Sequence, residues 1–298
     1  MSTVSSETEV ESASASEHLK VRVYDPDSPL RNLRTFLADA FSDLGQCMEL
    51  SWLLTIRDIK GQFRQSILGY VWAFLPPIVS SLTFIVLRST GSFNTAEIAI
   101  PYPAFVIIGT LVWQTFADAV QSPLRAVTAG KNILIKINFP RESLILSGIG
   151  MCLFNSLIRL CVLIPVLIYY QIPPSASWLW AGVGYFGLVS MGSCISTLLV
   201  PLGMLFQDVT KGLVLIMTFW MMLSAAVIPL PTEGTKAQLM QYNPTVPLIV
   251  TTRNALLGLD MPLLPQMIAI TFCSLLVLFV GWLLYRLALP HMIARLGM

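Results

Sequence analysis

Two ionisable residues stand inside stretches that otherwise carry no charge: Asp118 in FVIIGTLVWQTFADAVQSPL and Arg159 in SLILSGIGMCLFNSLIRLCVLIPVLIYY. An acid inside a membrane span is the usual mark of proton or ion relay, and an arginine there attracts anions. Asp118 lies roughly two turns from the inner end of its span, a depth that suits contact with inner-leaflet water or a neighbouring Arg better than relay. Arg159 lies about 24 Å along its span from Ser143. A mid-span Arg costs about 2.5–3.5 kcal/mol on insertion scales, so it must face protein or a watery cavity. Two roles stay open for it: bonding to carbonyls and polar neighbours, or lining a path for phosphate or acidic sugars. Asp118 sits nearer the inner side, so an ion pair between the two would need a long reach.

Aromatic residues supply a second kind of chemistry. Tyr102, Trp178 and Trp180 fall where an interfacial belt belongs. Trp72, Phe74, Trp113 and Phe116 lie deeper, where flat sugar faces could slide over rings through apolar contact. Other chemistry is missing. There is no GxxxxGK[ST], HExxH or GxSxG, so the chain does not read as a hydrolase or as a user of ATP by itself. Five cysteines show no CxxC and read as small buried hydrophobes, and His18 and His291 are too few and too far apart for a His-based metal site. No catalytic, cofactor or metal ligand set is expected, and no nucleic-acid partner.

The elements that position these residues follow from composition. Of 298 residues, 55% are hydrophobic and 11% charged, and mean hydropathy is +0.73. A soluble domain carries about 25% charge. The sequence therefore predicts an all-α polytopic membrane protein. Residues 1–29, rich in Ser, Glu and Ala, predict a disordered cytoplasmic tail without the features of a secretory signal. Residues 30–66 predict amphipathic interfacial helices, with an interruption at Gly45. Residues 67–298 predict a transmembrane domain of six spans: about 67–87, 102–124, 143–169, 178–206, 212–230 and 266–289. Pro76-Pro77 should kink the first. Gln207, Asp208 and Lys211 predict a tight inner turn. Residues 231–265 are too apolar for a free loop and predict two short re-entrant outer helices.

Orientation follows from the basic residues. Of 18 Lys and Arg, only Arg88, Lys236 and Arg253 fall on the predicted outer side, and Arg159 falls in a span. The remainder cluster before the first span, in the loop between the second and third, and at the inner ends of later spans. That asymmetry predicts both termini in the cytoplasm.

Several motifs resemble a known family. Arg57-Asp58, Arg64, Ser66, Leu68, Gly69, Trp72 and Pro76 resemble the entry to the first span of type-2 ABC permeases of the polysaccharide and polyol-phosphate exporter family, which serves O-antigen, capsule and teichoic acid. Leu134-Ile135-Lys136 and Phe139-Pro140-Arg141-Glu142 resemble that family's second-to-third loop. Asp208 and the run from Asn243-Pro244 to Arg253 match further positions. Gln207 stands where relatives commonly have Arg, and Ala225 where many have Pro. The resemblance implies a homodimer in the bacterial inner membrane, joined to two copies of a separate ATP-binding subunit that binds ATP and Mg, and moving a lipid-linked polysaccharide. It implies docking of that subunit on Lys131, Lys136, Phe139, Pro140, Arg141, Glu142 and Asp208. Arg57, Asp58, Arg64, Ser66 and Gly69 would form the first-span entry, with Trp72, Phe74, Trp113, Phe116 and Arg159 along the path. Alternatives are an ABC permease for a drug or small lipid, or an ion-coupled transporter. A membrane-embedded transferase would need a cluster of acids or His that the sequence lacks.

Overall fold

The computed structural model describes residues 33–64, 71–90, 100–131, 140, 142–230 and 234–296. Within these, the side chains of 33–40, 63, 71–74, 76, 77, 236 and 289–296 are not described. The predicted tail, Ser66, Gly69, Lys136, Phe139 and Arg141, and the side chains of Trp72 and Phe74, therefore lie outside the description.

The described residues are helical, without strands, in the order α1 Leu33–Arg64, α2 Val71–Ser89, α3 Tyr102–Ala129, α4 Glu142–Tyr169, α5 Trp178–Leu205, α6 Gln207–Met222, α7 Thr235–Gln241, α8 Thr245–Leu257 and α9 Leu264–Leu296. The chain divides into two units, residues 1–42 and 43–298. Of the first, only the opening turns of α1 are described; everything below concerns the second.

Four helices, α3, α4, α5 and the first 25 residues of α9, are long and apolar enough to cross a membrane. Helix α2 has 19 residues, and its described apolar part is the shorter Ile78–Ser89. Helix α6 has 16 residues, about 24 Å at 1.5 Å per residue, against a hydrocarbon core of about 30 Å. Its helix starts at Gln207, five residues before the expected span, and stops at Met222, eight before its expected end. Asp208 and Lys211 lie within it rather than in a turn. A single extended residue, Phe206 at φ −125 and ψ 115, separates α5 from α6. Asp208 in the first turn complements the helix dipole.

Helices α3 and α5 form the centre. α5 packs on α3 and α9, α3 on α4, and the almost wholly buried α8 on α5. Small residues permit the close approach. A Cβ at Gly148 would stand 2.3 Å from Pro123 Cα, so α4 crosses α3 where only glycine fits. Polar hydroxyls fasten neighbours: Ser81 Oγ and Thr110 Oγ1 lie 2.8 Å apart between α2 and α3, and Ser190 and Ser274 lie 3.0 Å apart between α5 and α9. The outward faces are apolar. On α4, Leu153, Leu157, Leu160, Ile164 and Ile168 recur at three- and four-residue steps and are exposed, the periodicity of a stripe facing lipid or another chain.

Helix α1 runs unbroken through Gly45, contrary to the expected interruption. A mid-helix glycine costs about 1 kcal/mol relative to Ala, which a helix of 32 residues absorbs. From Cys47 on it has three faces. Cys47, Ser51 and Thr55 are buried against the bundle, and Thr55 donates to the Ser147 carbonyl at 3.4 Å. Met48 and Trp52 are exposed on an apolar face, and Arg57, Lys60 and Arg64 lie on a charged one. That partition suits a helix lying at a membrane surface.

Candidate functional site

Three polar clusters are held inside this apolar bundle, at different depths. The deepest joins α3 and α4. Arg159 donates to Asp118 Oδ2, Asn155 Nδ2 donates to the same oxygen at 3.1 Å, and Arg125 reaches Asp118 Oδ1 at 3.5 Å. The Arg159 side chain is 10% exposed and that of Asp118 18%. The long reach expected of this pair is thus no obstacle. Asp118 lies about 16 Å along α3 from Ala129, and Arg159 about 26 Å along α4 from Glu142. Side chains lean toward the N-terminus of their own helix. In antiparallel α3 and α4 those leans are opposed, so Arg159 points down and Asp118 up, and the extended guanidinium closes the gap. Asn155 is one turn before Arg159 and Arg125 two turns after Asp118, so each reinforces the pair from its own helix.

The second cluster clasps the irregular chain after α6. Leu223–Val227 is non-helical, with Ala225 at φ 55, yet Ser224 to Val227 are buried. Irregular backbone at membrane depth survives only where protein satisfies its polar groups. Here it does. Arg253 of α8, 3% exposed, donates to the Ala225 carbonyl at 2.8 Å and lies 3.7 Å over the Phe105 ring. Asn243 Nδ2 donates to the Leu223 carbonyl at 2.9 Å. Asn243 Oδ1 accepts from Trp220 Nε1 at 3.1 Å, and from the Thr245 amide and hydroxyl at 3.1 and 2.8 Å. Tyr102 donates to the Val227 carbonyl at 3.4 Å. Arg253, counted as an outer-loop cation from the sequence, is therefore a buried structural donor. The two short helices expected in this region are present as α7 and α8.

The third cluster lies where α1, the start of α4 and the last turns of α9 meet. Arg286 of α9 bonds Asp43 of α1 at 2.8 Å and stands 3.6 Å from Glu142 at the start of α4. Burial, with Glu142 and Asp43 adding negative charge nearby, pushes the Cys47 thiol up to about 11. Lys131 donates to the Met204 carbonyl at 3.1 Å, satisfying the last turn of α5.

No family model matches the chain. Among characterised proteins it is 26% identical over 216 residues to an "O-antigen export system permease protein RfbA" of Klebsiella pneumoniae, covering 71% of this chain and 81% of that one. A second protein of the same description and organism is 26% identical, covering 71% and 82%. A Myxococcus xanthus protein of the same description is 24% identical, covering 66% and 76%. The chain is thus similar, over about two thirds or more of its length, to permeases of O-antigen export systems.

The sites expected of such a permease are distributed unevenly. Of the docking set, Lys131 is a half-buried helix cap, Pro140 accepts from Ser143 Oγ at 2.6 Å, Glu142 belongs to the Arg286 cluster, and Asp208 is exposed at the start of α6. Lys131 and Glu142 thus hold helix ends together as well as bordering the loop. Of the first-span entry, Arg57 and Asp58 pair with one another at 2.8 Å, and Arg64 is exposed. Of the path set, Trp113 is 3% exposed and Phe116 wholly buried. They form a chain of rings with Trp220, at centroid separations of 5.3 and 5.5 Å. These two and Arg159 are interior residues, because α6 and α4 cover the faces of α3 that carry Trp113, Phe116 and Asp118. Sequence reasoning missed the Arg286 cluster altogether. Its members are 243 residues apart at the widest, and no local spacing links them.

Proposed function

We propose that the chain is the membrane-spanning subunit of an ATP-driven exporter that carries lipid-linked O-antigen across the bacterial inner membrane. The observation that carries this is the relationship to O-antigen export permeases across about two thirds or more of the chain. A bundle with apolar outward faces and charges paired inside supports it.

In this reading the chain has six spans and both termini in the cytoplasm. α2 and α6 supply the two spans beyond the four long helices, and the clasped coil after α6 extends the latter toward the outer surface. Helices α7 and α8 dip back from that surface as re-entrant helices. Two copies enclose a path at their two-fold axis. Trp113, Phe116 and Arg159 stiffen the wall behind it. ATP and Mg belong to two copies of a separate subunit, which dock against 131–142 and Asp208. Closure of those subunits on ATP pushes that segment, and the push reaches the spans through α3 and α4, whose inner ends flank it.

Cells lacking the chain should lose surface O-antigen and accumulate the lipid-linked polymer inside, and a plasmid copy should restore export. Unchanged surface O-antigen in its absence would refute the proposal.

A further inference from the structure

Three helices distant in sequence converge on one guanidinium at the inner end. Arg286 of α9 donates to Asp43 Oδ2 of α1 at 2.8 Å, and its other amino group stands 3.6 Å from Glu142 Oε1 of α4. Exposure of the three side chains is 19%, 17% and 15%. They are shielded from water, so salt screens them weakly. Elsewhere along this face the seam between α1 and the bundle is built from small side chains. Cys47, Ser51 and Thr55 line it, and Thr55 sits so close to Gly150 that a Cβ there would stand 2.6 Å from its hydroxyl. That seam fixes its register chiefly by packing. A charge cluster has one register, because a slip of one helical turn is about 5.4 Å and would break both contacts.

Glu142 has a second significance: it closes the stretch read above as the docking segment. We propose that Arg286 is a positioning residue that transmits displacement of the docking segment from Glu142 to α1 and α9, so that the three helices move as one body during transport. This rests on reading the chain as an ATP-driven permease. Displacement of the inner end of α4 acts at Glu142, its first residue, and Arg286 passes it to α9 in the bundle and to α1 at the membrane surface. Without Arg286, the movement of α4 is no longer passed to α1 and α9 by this cluster.

The test uses the complex with its ATP-binding subunit, scored for surface O-antigen in cells and for ATP hydrolysis after purification. Arg286→Gln should lower export at least tenfold while hydrolysis stays within twofold of wild type. Arg286→Lys, which keeps the charge, should retain at least half of export. A second variant separates positioning from stability. Arg286→Gln with Asp43→Asn removes both charges of the closer pair and leaves Glu142 at a helix N-terminus, where the dipole favours it. That variant should reach wild-type amounts in the membrane, hydrolyse ATP within twofold, and still export at least tenfold less. Wild-type export by Arg286→Gln, recovery of export in the neutral pair, or loss of all three variants from the membrane would each overturn the proposal. Failure of the wild-type chain to co-purify with an ATP-binding subunit would overturn the underlying reading and this proposal with it.

Discussion

Replacing Asp118 with Leu should destabilise the protein more than replacing Arg159 with Met, and replacing both should cost less than the two losses summed. In the wild type, Arg159 is buried and Asp118 is the carboxylate it bonds. Asp118→Leu strands that guanidinium at mid-membrane. Removing one partner of a buried pair costs about 3–5 kcal/mol, and insertion scales place an unpaired central Arg at about 2.5–3.5 kcal/mol. An expected loss of about 3 kcal/mol is more than a hundredfold in the folded-to-unfolded ratio. Arg159→Met is milder, because Asn155 at 3.1 Å and Arg125 at 3.5 Å still serve the carboxylate; about 1–2 kcal/mol is expected. The double variant carries neither charge and should lose less than the sum of the singles by at least about 1.5 kcal/mol. Denaturant titration in mixed micelles, followed by tryptophan fluorescence, measures all three. If Asp118→Leu lay within about 0.5 kcal/mol of wild type, or the two losses simply added, the pair would not join α3 to α4 as described.

Other outcomes follow from the same packing. Gly148→Val should force α4 from α3, since even a Cβ would meet Pro123 Cα at 2.3 Å; a loss of about 1–3 kcal/mol is expected in the same titration. Arg253→Met should free the Ala225 carbonyl and expose Leu223–Val227, raising amide exchange there at least tenfold while leaving α4 unchanged. The Cys47 thiol, raised from 9.0 to about 11, should be about 0.1% thiolate at pH 8. Its alkylation should be roughly a hundredfold slower in the folded protein than after denaturation, and the pH at which it becomes reactive should shift up by about two units. Because the folded state holds that proton more tightly, this thiol's contribution to stability is present below pH 9 and declines as pH rises toward 11.

Long apolar runs were the most legible part of the chain. The third and fourth spans were expected at 143–169 and 178–206, and helices occupy Glu142–Tyr169 and Trp178–Leu205. Hydropathy is a local property of the chain, and so is helix formation in lipid. The end of the fifth apolar run differs from the end of its helix, because hydropathy cannot distinguish a helix from a buried coil whose carbonyls are held by Arg253 and Asn243. The motif from Asn243-Pro244 to Arg253 was visible as a pattern; its purpose emerges only when Leu223 and Ala225 are brought beside it. Asp118 and Arg159 stand out in the sequence, and axial distance alone asks a long reach of the pair, which the opposed lean of side chains on antiparallel helices supplies. Arg286 gave no signal, since a lone Arg at the end of a last span is what charge orientation alone requires. Buried Trp113 and Phe116 show the converse limit: aromatic depth in a span does not tell a wall from a path.

A conduit driven by an engine on another chain should hydrolyse nucleotide only in the company of that chain. The most direct measurement is nucleotide hydrolysis by the purified protein in lipid, first alone and then with its ATP-binding subunit. The complex should hydrolyse ATP and the isolated permease should show no turnover above empty vesicles; turnover by the isolated permease would contradict the account.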